Sequence, residues 1–549
     1  MKEGLLVFLL SVALYALTAP VNRTEAEDAY DYAWTVENVA GADLLDGQRL
    51  LFFPVARGLF LVAGRWLGVR RALPVLIGFS VIATAGYLAI LFRLLRTRMG
   101  FSRRDAWMGV GLIGSLYGVW RYAAESEVYG PSALVAGLLL LVAVRPSGDL
   151  AASWRMGACA VLATLTHIMN LPLALALGLL LLIRRKFAAA ARYALVCALG
   201  LGLAFAVAFA WGLDFESVMS VAPGGGGTWP RWSSGPRMLV GIGSASIASQ
   251  FVFAFEIVRA RLPGLLPSLL MTEESFMGRA FGPAWGIAGL ATLGLGAAAL
   301  LRVARCALRA PAQSAPDPAA DGAKTVLHLT LLYLALYTAV ILRFNPAATE
   351  FWVQAVPFLG LALLAALRAG GRMAAARPAL LMLALASIAH NGIVGMLPLK
   401  FRSADLNAVK AAPVLERATD RDLVLTGDNP KFFRYLRYYS PARVLDLYGV
   451  SWGRMDAVER EILDHPGRVY AFDDLGDPPA AVRSRLPEPS ERAEAIGLRL
   501  RDRFERLAVT RAGEALVRKE EGGGGGNVQR STLNAQRSTG GEAGANVER

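Results

Sequence analysis

Cysteine and histidine are scarce in this sequence, with three Cys and four His among 549 residues. Cys159, Cys197 and Cys306 lie in or beside apolar runs and show no CxxC spacing. The sequence therefore predicts neither a disulfide framework nor a zinc site. Nucleotide-binding loops of the GxxxxGK(S/T) or GxGxxG kind are missing from the polar parts of the chain, so a nucleotide-linked substrate has no predicted site.

Acidic residues are also fewer than basic ones, 43 against 57, which gives a net charge of +14. The arginines stand between apolar runs rather than on one polar face, so they predict cytoplasmic loops of a membrane protein and not a nucleic-acid partner. Hydrophobic residues make up 55% of the chain and the mean hydropathy is +0.43. Only a bilayer solvates that much apolar helix surface, which predicts an all-α polytopic membrane protein.

The apolar runs and the basic clusters between them predict about eleven transmembrane helices, with the N-terminus in the cytoplasm. Residues 156–183 count as two short helices that turn at His167–Asn170, because a single span would place the Arg184–Lys186 cluster outside. The first 20 residues are interpreted as an uncleaved span, with a cleaved signal peptide as the alternative. Besides the two short helices within 156–183, the predicted spans are 4–20, 72–92, 106–120, 130–144, 190–212, 284–301, 325–342, 351–367 and 378–397.

Three regions follow from this topology: a transmembrane domain over 1–400, a small α/β extramembrane domain over 401–518, and a disordered glycine-rich tail over 519–549. The transmembrane domain carries large external loops at 21–71 and 213–283, and residues 238–258 form either an interfacial helix or half of a re-entrant pair. The first loop is rich in arginine for an external segment, which predicts surface helices that bind lipid phosphates. These arginines are Arg23, Arg49, Arg57, Arg65, Arg70 and Arg71.

The strongest candidates for chemistry are three carboxylates that follow the first span, Glu27, Asp28 and Asp31. On a helix they share a face or lie one turn apart, and crowding at an apolar boundary raises the pKa of at least one. That pattern predicts a general base. The alternative is the solvated acidic start of a surface helix, favoured by the helix dipole.

Further polar residues mark the ends of later spans on the same side. Glu125 and Glu127 could line a cavity, although Arg121 could simply neutralise Glu125. Arg343 could hold a phosphate, or could be an arginine that extends to the membrane surface. The candidate substrate-binding residues are Glu125, Glu127, Tyr129, His167, Asn170, Arg343, Asn345 and Glu350.

Over about residues 1–400 the chain resembles the GT-C class of membrane glycosyltransferases. The resemblance rests on the acidic first loop, on Glu125, Glu127 and Tyr129, on the turn that carries His167, and on the hairpin Asn345-Pro346-Ala347-Ala348-Thr349-Glu350-Phe351-Trp352. Within this class the chain is most similar to the protein mannosyltransferase and aminoarabinose transferase group, and it is glycosyltransferase family 39-like. The chain departs from them at 51–57, where a histidine-rich stretch is expected.

This resemblance implies an enzyme that takes a sugar from a polyprenyl-phosphate carrier and adds it to a glycan, lipid or protein acceptor on the external face of a bacterial inner membrane. Asp28 matches the catalytic base, with Glu27 and Asp31 as fallbacks. No cofactor is expected, although carboxylate pairs could bind a divalent cation. A transporter, a lipid-linked sugar flippase and a degenerate non-catalytic homologue remain alternatives. The C-terminal domain is predicted to be external.

Overall fold

The computed structural model describes residues 2–23, 26, 28–144, 150–213, 234–265, 271–308, 318–343, 346–427, 430–478, 482–483 and 487–519. Glu27, Asn345 and nearly all of the tail predicted to be disordered lie outside these residues. The membrane part is helical. Its helices are α1 Lys2–Thr18, α2 Asp28–Asn38, α3 Phe52–Leu67, α4 Ala72–Thr97, α5 Arg103–Gly114, α6 Tyr117–Ala123, α7 Tyr129–Ala143, α8 Leu150–Thr166, α9 Leu171–Ile183, α10 Phe187–Ala210, α11 Ser234–Ser246, α12 Glu256–Leu265, α13 Thr272–Leu308, α14 Pro318–Ile341, α15 Val356–Ala369 and α16 Met373–Ala389.

Six helical segments in the described part of the chain are long and apolar enough to cross a membrane: 72–97, 187–210, 272–307, 320–341, 349–369 and 373–400. Other apolar helices, including α7 and α9, are shorter. At 1.5 Å of rise per residue, a helix of 13 residues covers only about 20 Å. A multi-pass membrane protein is thus confirmed by six segments, while the predicted count of about eleven spans stays a prediction.

The predicted turn between two short helices is present. α8 ends at Thr166, a 3₁₀ turn follows over Ile168–Asn170, and α9 begins at Leu171 with Pro172 in its first turn. Proline is tolerated there because the first backbone N–H groups of a helix have no intrahelical acceptor. The turn is tied to the first loop, since the Ile168 N–H donates to the Gln48 carbonyl at 2.7 Å.

Four of the six arginines of the first loop form hydrogen bonds or ion pairs within the protein. Arg57 donates to the carbonyls of Val36 and Glu37 at the C-terminal end of α2, where helix carbonyls lack intrahelical donors. Arg49 pairs with Asp46, and Arg71 pairs with Glu37 at 3.1 Å. Together with the buried Arg23, these contacts give most of the cluster an intramolecular role that charge counting could not foresee.

Residues 244–254 enter the bundle instead of lying on its surface. A 3₁₀ helix over Gln250–Ala254 is buried and packs against α13. His390 and Asn391, in the π-helical turn His390–Met396 that follows α16, hold this stretch in place. His390 Nε2 donates to the Ala248 carbonyl at 2.9 Å, and the Asn391 amide oxygen accepts from the Ala248 N–H at 2.8 Å. The re-entrant alternative therefore fits this stretch better than an interfacial helix.

The C-terminal region builds one five-stranded sheet. The described elements are α17 Leu406–Leu415, β1 Leu423–Thr426, α18 Pro430–Tyr439, β2 Arg443–Asp446, α19 Met455–Leu463, β3 Val469–Phe472, α20 Pro487–Leu500, β4 Phe504–Thr510 and β5 Gly513–Arg518. The strand order is β2-β1-β3-β5-β4, with the first three strands parallel and the last two antiparallel to their neighbours. The predicted strands at 422–426 and 468–472 and the helix at 429–439 are confirmed.

This small α/β region shares a hydrophobic core with the first loop. Tyr30 of α2 contacts three aromatic rings of α18, with the ring of Tyr435 at 5.3 Å. Tyr438 of α18 donates from its hydroxyl to Glu37 at 2.9 Å. The same core includes Phe52 of α3 and Phe432 of α18. The packing seats α18 directly on the loop that carries the candidate base.

Candidate functional site

Two of the three candidate carboxylates of the first loop, Asp28 and Asp31, are described, and they occupy the first turn of α2 on the face that meets α18. Asp28 forms an ion pair with Arg434, and Asp31 forms one with Arg437. The side chains remain 38% and 34% exposed, so both carboxylates are reachable from the polar side of the molecule. The acidic residues thus start α2 and also stand at the edge of a polar cluster.

Glu127, which interacts electrostatically with Asp28, lies in a short loop between α6 and α7. Ser80 of α4 donates from its hydroxyl to the Glu127 carbonyl at 2.9 Å, which fixes the loop. The carboxyl is buried, and burial raises its pKa well above the ordinary value, with repulsion from Asp28 and Glu350 adding to the effect. Asp28 and Glu350 thus both act electrostatically on Glu127, and we refer to these three residues as the carboxylate cluster.

Glu125 has a different environment from Glu127. It is fully buried and pairs with two arginines, Arg23 from the first loop and Arg121 from α6. Buried arginines keep their charge and need such a partner. The expectation that Arg121 neutralises Glu125 fits this arrangement, so Glu125 acts as a structural link between the first loop and α6 and leaves no free carboxylate for a sugar.

Aromatic and cationic side chains surround the carboxylate cluster. Arg49 donates a hydrogen bond to the Tyr32 hydroxyl, and its guanidinium carbon lies 4.6 Å from the centre of the Tyr32 ring. Tyr129 meets His167 edge to face at 5.8 Å. Burial lowers the pKa of His167 to about 3, and the positive charge of Arg49 adds to this effect. His167 is therefore a neutral imidazole at physiological pH.

A cavity begins at this layer and extends between the helices. Asn170 and Gln354 lie at its wall, and both donate to the Ser132 hydroxyl, Asn170 at 2.8 Å. Thr84 also lines it, and its buried hydroxyl has no hydrogen-bond partner among the described atoms. The remaining lining is largely apolar or aromatic: Tyr87, Val119, Tyr122, Tyr129, Val353, Pro357 and Phe358.

The predicted hairpin around residues 343–352 contributes Glu350 to the carboxylate cluster, whereas Arg343 lies outside the described contacts of that cluster. Glu350 sits on a 3₁₀ turn, Thr349–Trp352, and acts electrostatically on Glu127 and Tyr129. Arg343 is exposed just past the end of α14, and none of the described contacts of the carboxylate cluster involves it. Glu27 and Asn345 lie outside the described residues.

Comparison with known proteins finds similarity in structure alone. The crystal structure of ArnT from Cupriavidus metallidurans bound to undecaprenyl phosphate superposes with a TM-score of 0.49 at 12% identity, covering 94% of this chain and 98% of that one. Its apo state gives 0.47 at 12% identity, covering 94% and 97%. The arabinofuranosyltransferase AftD from Mycobacteria gives 0.46 at 14% identity, covering 94% of this chain but only 40% of AftD.

Both kinds of neighbour are GT-C glycosyltransferases, the class that the sequence resembles. No protein-family model and no curated protein sequence matches the chain. With identities of 12–14% and TM-scores below 0.5, the similarity does not assign an activity to the site.

Several members of the site were not predicted from sequence, namely Tyr32, Arg49, Gln354, Arg434 and Arg437. Arg434 and Arg437 belong to a run of cations spaced three residues apart on a helix, a spacing that places them on one face. That signal indicates a charged helix face but not its partner, which lies about 400 positions earlier in the chain. Among the described residues, no group of three or more His, Cys, Asp or Glu side chains forms a metal site.

Proposed function

We propose that this chain is an integral membrane glycosyltransferase that moves a sugar from a polyprenyl-phosphate carrier to an acceptor hydroxyl on the external face. The observation that carries the proposal is the carboxylate cluster with its aromatic neighbours, placed at the end of a helical bundle and next to a cavity. Carboxylates and aromatic rings are the groups that bind and activate hydroxyl-bearing substrates. Their position at span ends suits a donor that stays in the lipid.

In the proposed reaction Asp28 is the general base. It takes the proton from the acceptor hydroxyl as that oxygen attacks the anomeric carbon, while the bond from this carbon to the phosphate oxygen breaks. The polyprenyl phosphate leaves with the electron pair, and the sugar configuration is inverted. Asp28 suits this role better than Glu127, because its side chain is 38% exposed whereas Glu127 is buried.

Transfer of radiolabelled sugar from cell-extracted polyprenyl-phosphate sugars to membrane acceptors tests the proposal. We expect Asp28→Asn to lower the rate by about 10² to 10⁴-fold, the range for a lost general base. Asp43→Asn is the matched control, since Asp43 lies exposed on the same loop in the 3₁₀ turn Gly41–Leu44. Absence of transfer by the wild type with every donor, together with donor-lipid flipping in vesicles, would point to a transporter instead.

A further inference from the structure

Three cations on one stripe of α18 contact the membrane part of the chain. Lys431 lies 3.6 Å from Glu273 at the start of α13, Arg434 pairs with Asp28, and Arg437 pairs with Asp31. The carboxylates on α2 and the arginines on α18 are both spaced three residues apart, which matches one turn of each helix. Arg437 is also held against the ring of Trp34, with its guanidinium carbon 4.2 Å from the ring centre.

These ion pairs occupy the carboxylates that the reaction needs free. The guanidinium of Arg434 occupies the Asp28 carboxylate oxygens that would accept the proton of an acceptor hydroxyl. Both arginines keep accessible surface, 32% for Arg434 and 27% for Arg437. A guanidinium has five N–H donors and binds phosphate oxygens in the same forked geometry as a carboxylate. An arriving phosphate therefore competes directly for the two arginines.

We propose that Arg434 and Arg437 are the phosphate-binding residues for the lipid carrier, and that they exchange Asp28 and Asp31 for the carrier phosphate when it binds. This inference rests on the proposed function and names the residues that receive the leaving group. The exchange frees Asp28 to take the acceptor proton. When the sugar departs, the phosphodiester becomes a monoester with one more negative charge, and the arginines stabilise it. Arg343, away from the described contacts of the cluster, has no part in this step.

Binding of undecaprenyl phosphate, measured by native mass spectrometry against undecaprenol, tests the exchange without any transfer step. We expect Arg434→Gln with Arg437→Gln to weaken undecaprenyl phosphate binding at least tenfold and to leave undecaprenol unchanged. Arg499→Gln is the matched control, because this arginine pairs with Asp456 and Glu459 within the C-terminal region. Excess phosphatidylglycerol in a parallel series should compete poorly, since a general preference for anionic lipids would contradict a carrier-specific site.

The decisive variant is Asp28→Asn with Asp31→Asn, which should raise the affinity for undecaprenyl phosphate about threefold or more by releasing the arginines. If the ion pairs merely hold α18 on α2, the double asparagine variant and the double glutamine variant would change the affinity for undecaprenyl phosphate in the same direction. That result would show the inference to be wrong. Wild-type protein that binds undecaprenyl phosphate no better than undecaprenol would instead contradict the proposed function itself. Thermal melting of each variant separates lost binding from lost folding.

Discussion

Glu125 and Glu127 are separated by one residue, yet their surroundings give them opposite states. Glu125 accepts from two buried arginines, Arg23 and Arg121, so its negative charge offsets theirs. Glu127 is buried beside two further carboxylates, and its pKa is raised well above the ordinary value by burial and then by repulsion from Asp28 and Glu350. The local sequence, an acidic Glu-x-Glu motif, cannot distinguish them because the deciding neighbours come from other parts of the chain.

Replacing Glu125 by glutamine should destabilise the protein strongly. The change leaves two buried guanidinium groups without their counter-charge, and breaking a buried ion pair in this way costs about 3–5 kcal/mol. Thermal melting in detergent checks the loss. Glu350→Gln is a useful comparison, because it removes a carboxylate that repels Glu127 and should cost much less. Equal loss in the two variants would contradict a charge-balancing role for Glu125.

Replacing Glu127 by glutamine should give a stability difference that grows with pH. The folded chain holds Glu127 protonated above the ordinary pKa of 4.5, whereas the unfolded chain loses that proton as the pH rises. The wild type therefore loses stability above pH 4.5 until the folded-state pKa is reached, by at most about 1.4 kcal/mol per pH unit. Glutamine has no such loss, so melting curves of the two proteins should separate between acidic and neutral pH. A constant difference would contradict the raised pKa.

Among the helices, α11 supports the site through a glycine contact. A Cβ on Gly241 would lie 2.4 Å from the Pro346 carbonyl oxygen and 2.5 Å from the Trp352 ring, whereas Gly243 has open space. The residues displaced by that Cβ belong to the hairpin that carries Glu350. Only glycine, which has no Cβ, fits at a position where the backbone approaches its neighbours this closely.

Alanine at these two glycines should therefore act in opposite directions. Gly243→Ala should leave melting unchanged or raise it, because alanine favours a helix by about 1 kcal/mol over glycine. Gly241→Ala should lower the melting temperature and, if the proposed function holds, reduce sugar transfer by moving Glu350. Melting and transfer assays on the pair decide the matter. Loss of transfer in Gly243→Ala alone would contradict this assignment of the hairpin contact.

Some elements follow from the sequence and others do not. The turn at His167–Asn170 and the helix over 429–439 were predictable, because charge parity, Pro172 and local composition are features of neighbouring residues. The arginines on α18 were recognisable as a charged stripe, but their partners Asp28 and Asp31 became visible only through tertiary packing. Likewise, the arginines of the first loop looked suited to lipid because sequence does not show that Arg57 reaches carbonyls of α2.

For the molecule as a whole, the contact between α2 and α18 puts the first loop and the C-terminal region on one side of the bundle. The positive cluster Arg184–Lys186 lies at the far end of α9, away from the turn at His167–Asn170 that joins this side. The two ends of α9 face opposite compartments if α9 crosses the bilayer as the sequence predicts. The proposed external site therefore requires an external C-terminal region and a cytoplasmic cluster.

Cysteine labelling should confirm this sidedness. In a chain whose three native cysteines are replaced, we expect Ser451→Cys to react with a membrane-impermeant maleimide in intact spheroplasts. Lys186→Cys should react only after lysis, because Lys186 belongs to the cluster predicted to be cytoplasmic. Both positions are exposed in the structure, so unequal access reflects the membrane and not burial. Labelling of Lys186→Cys alone in intact spheroplasts would reverse the proposed orientation.

The Arg23–Glu125–Arg121 ion pairs also constrain how the chain enters the membrane during synthesis. α6 has 7 residues and carries Arg121 inside it, so at about 10 Å it cannot cross a bilayer alone. An unpartnered arginine at that depth is costly. Glu125 follows α6 within a few residues, but four helices, α2 to α5, separate Arg23 from α6 in the chain. The three charges therefore come together only once those helices are in place. We therefore expect the early helices to stay together during insertion until α6 and its charges have docked.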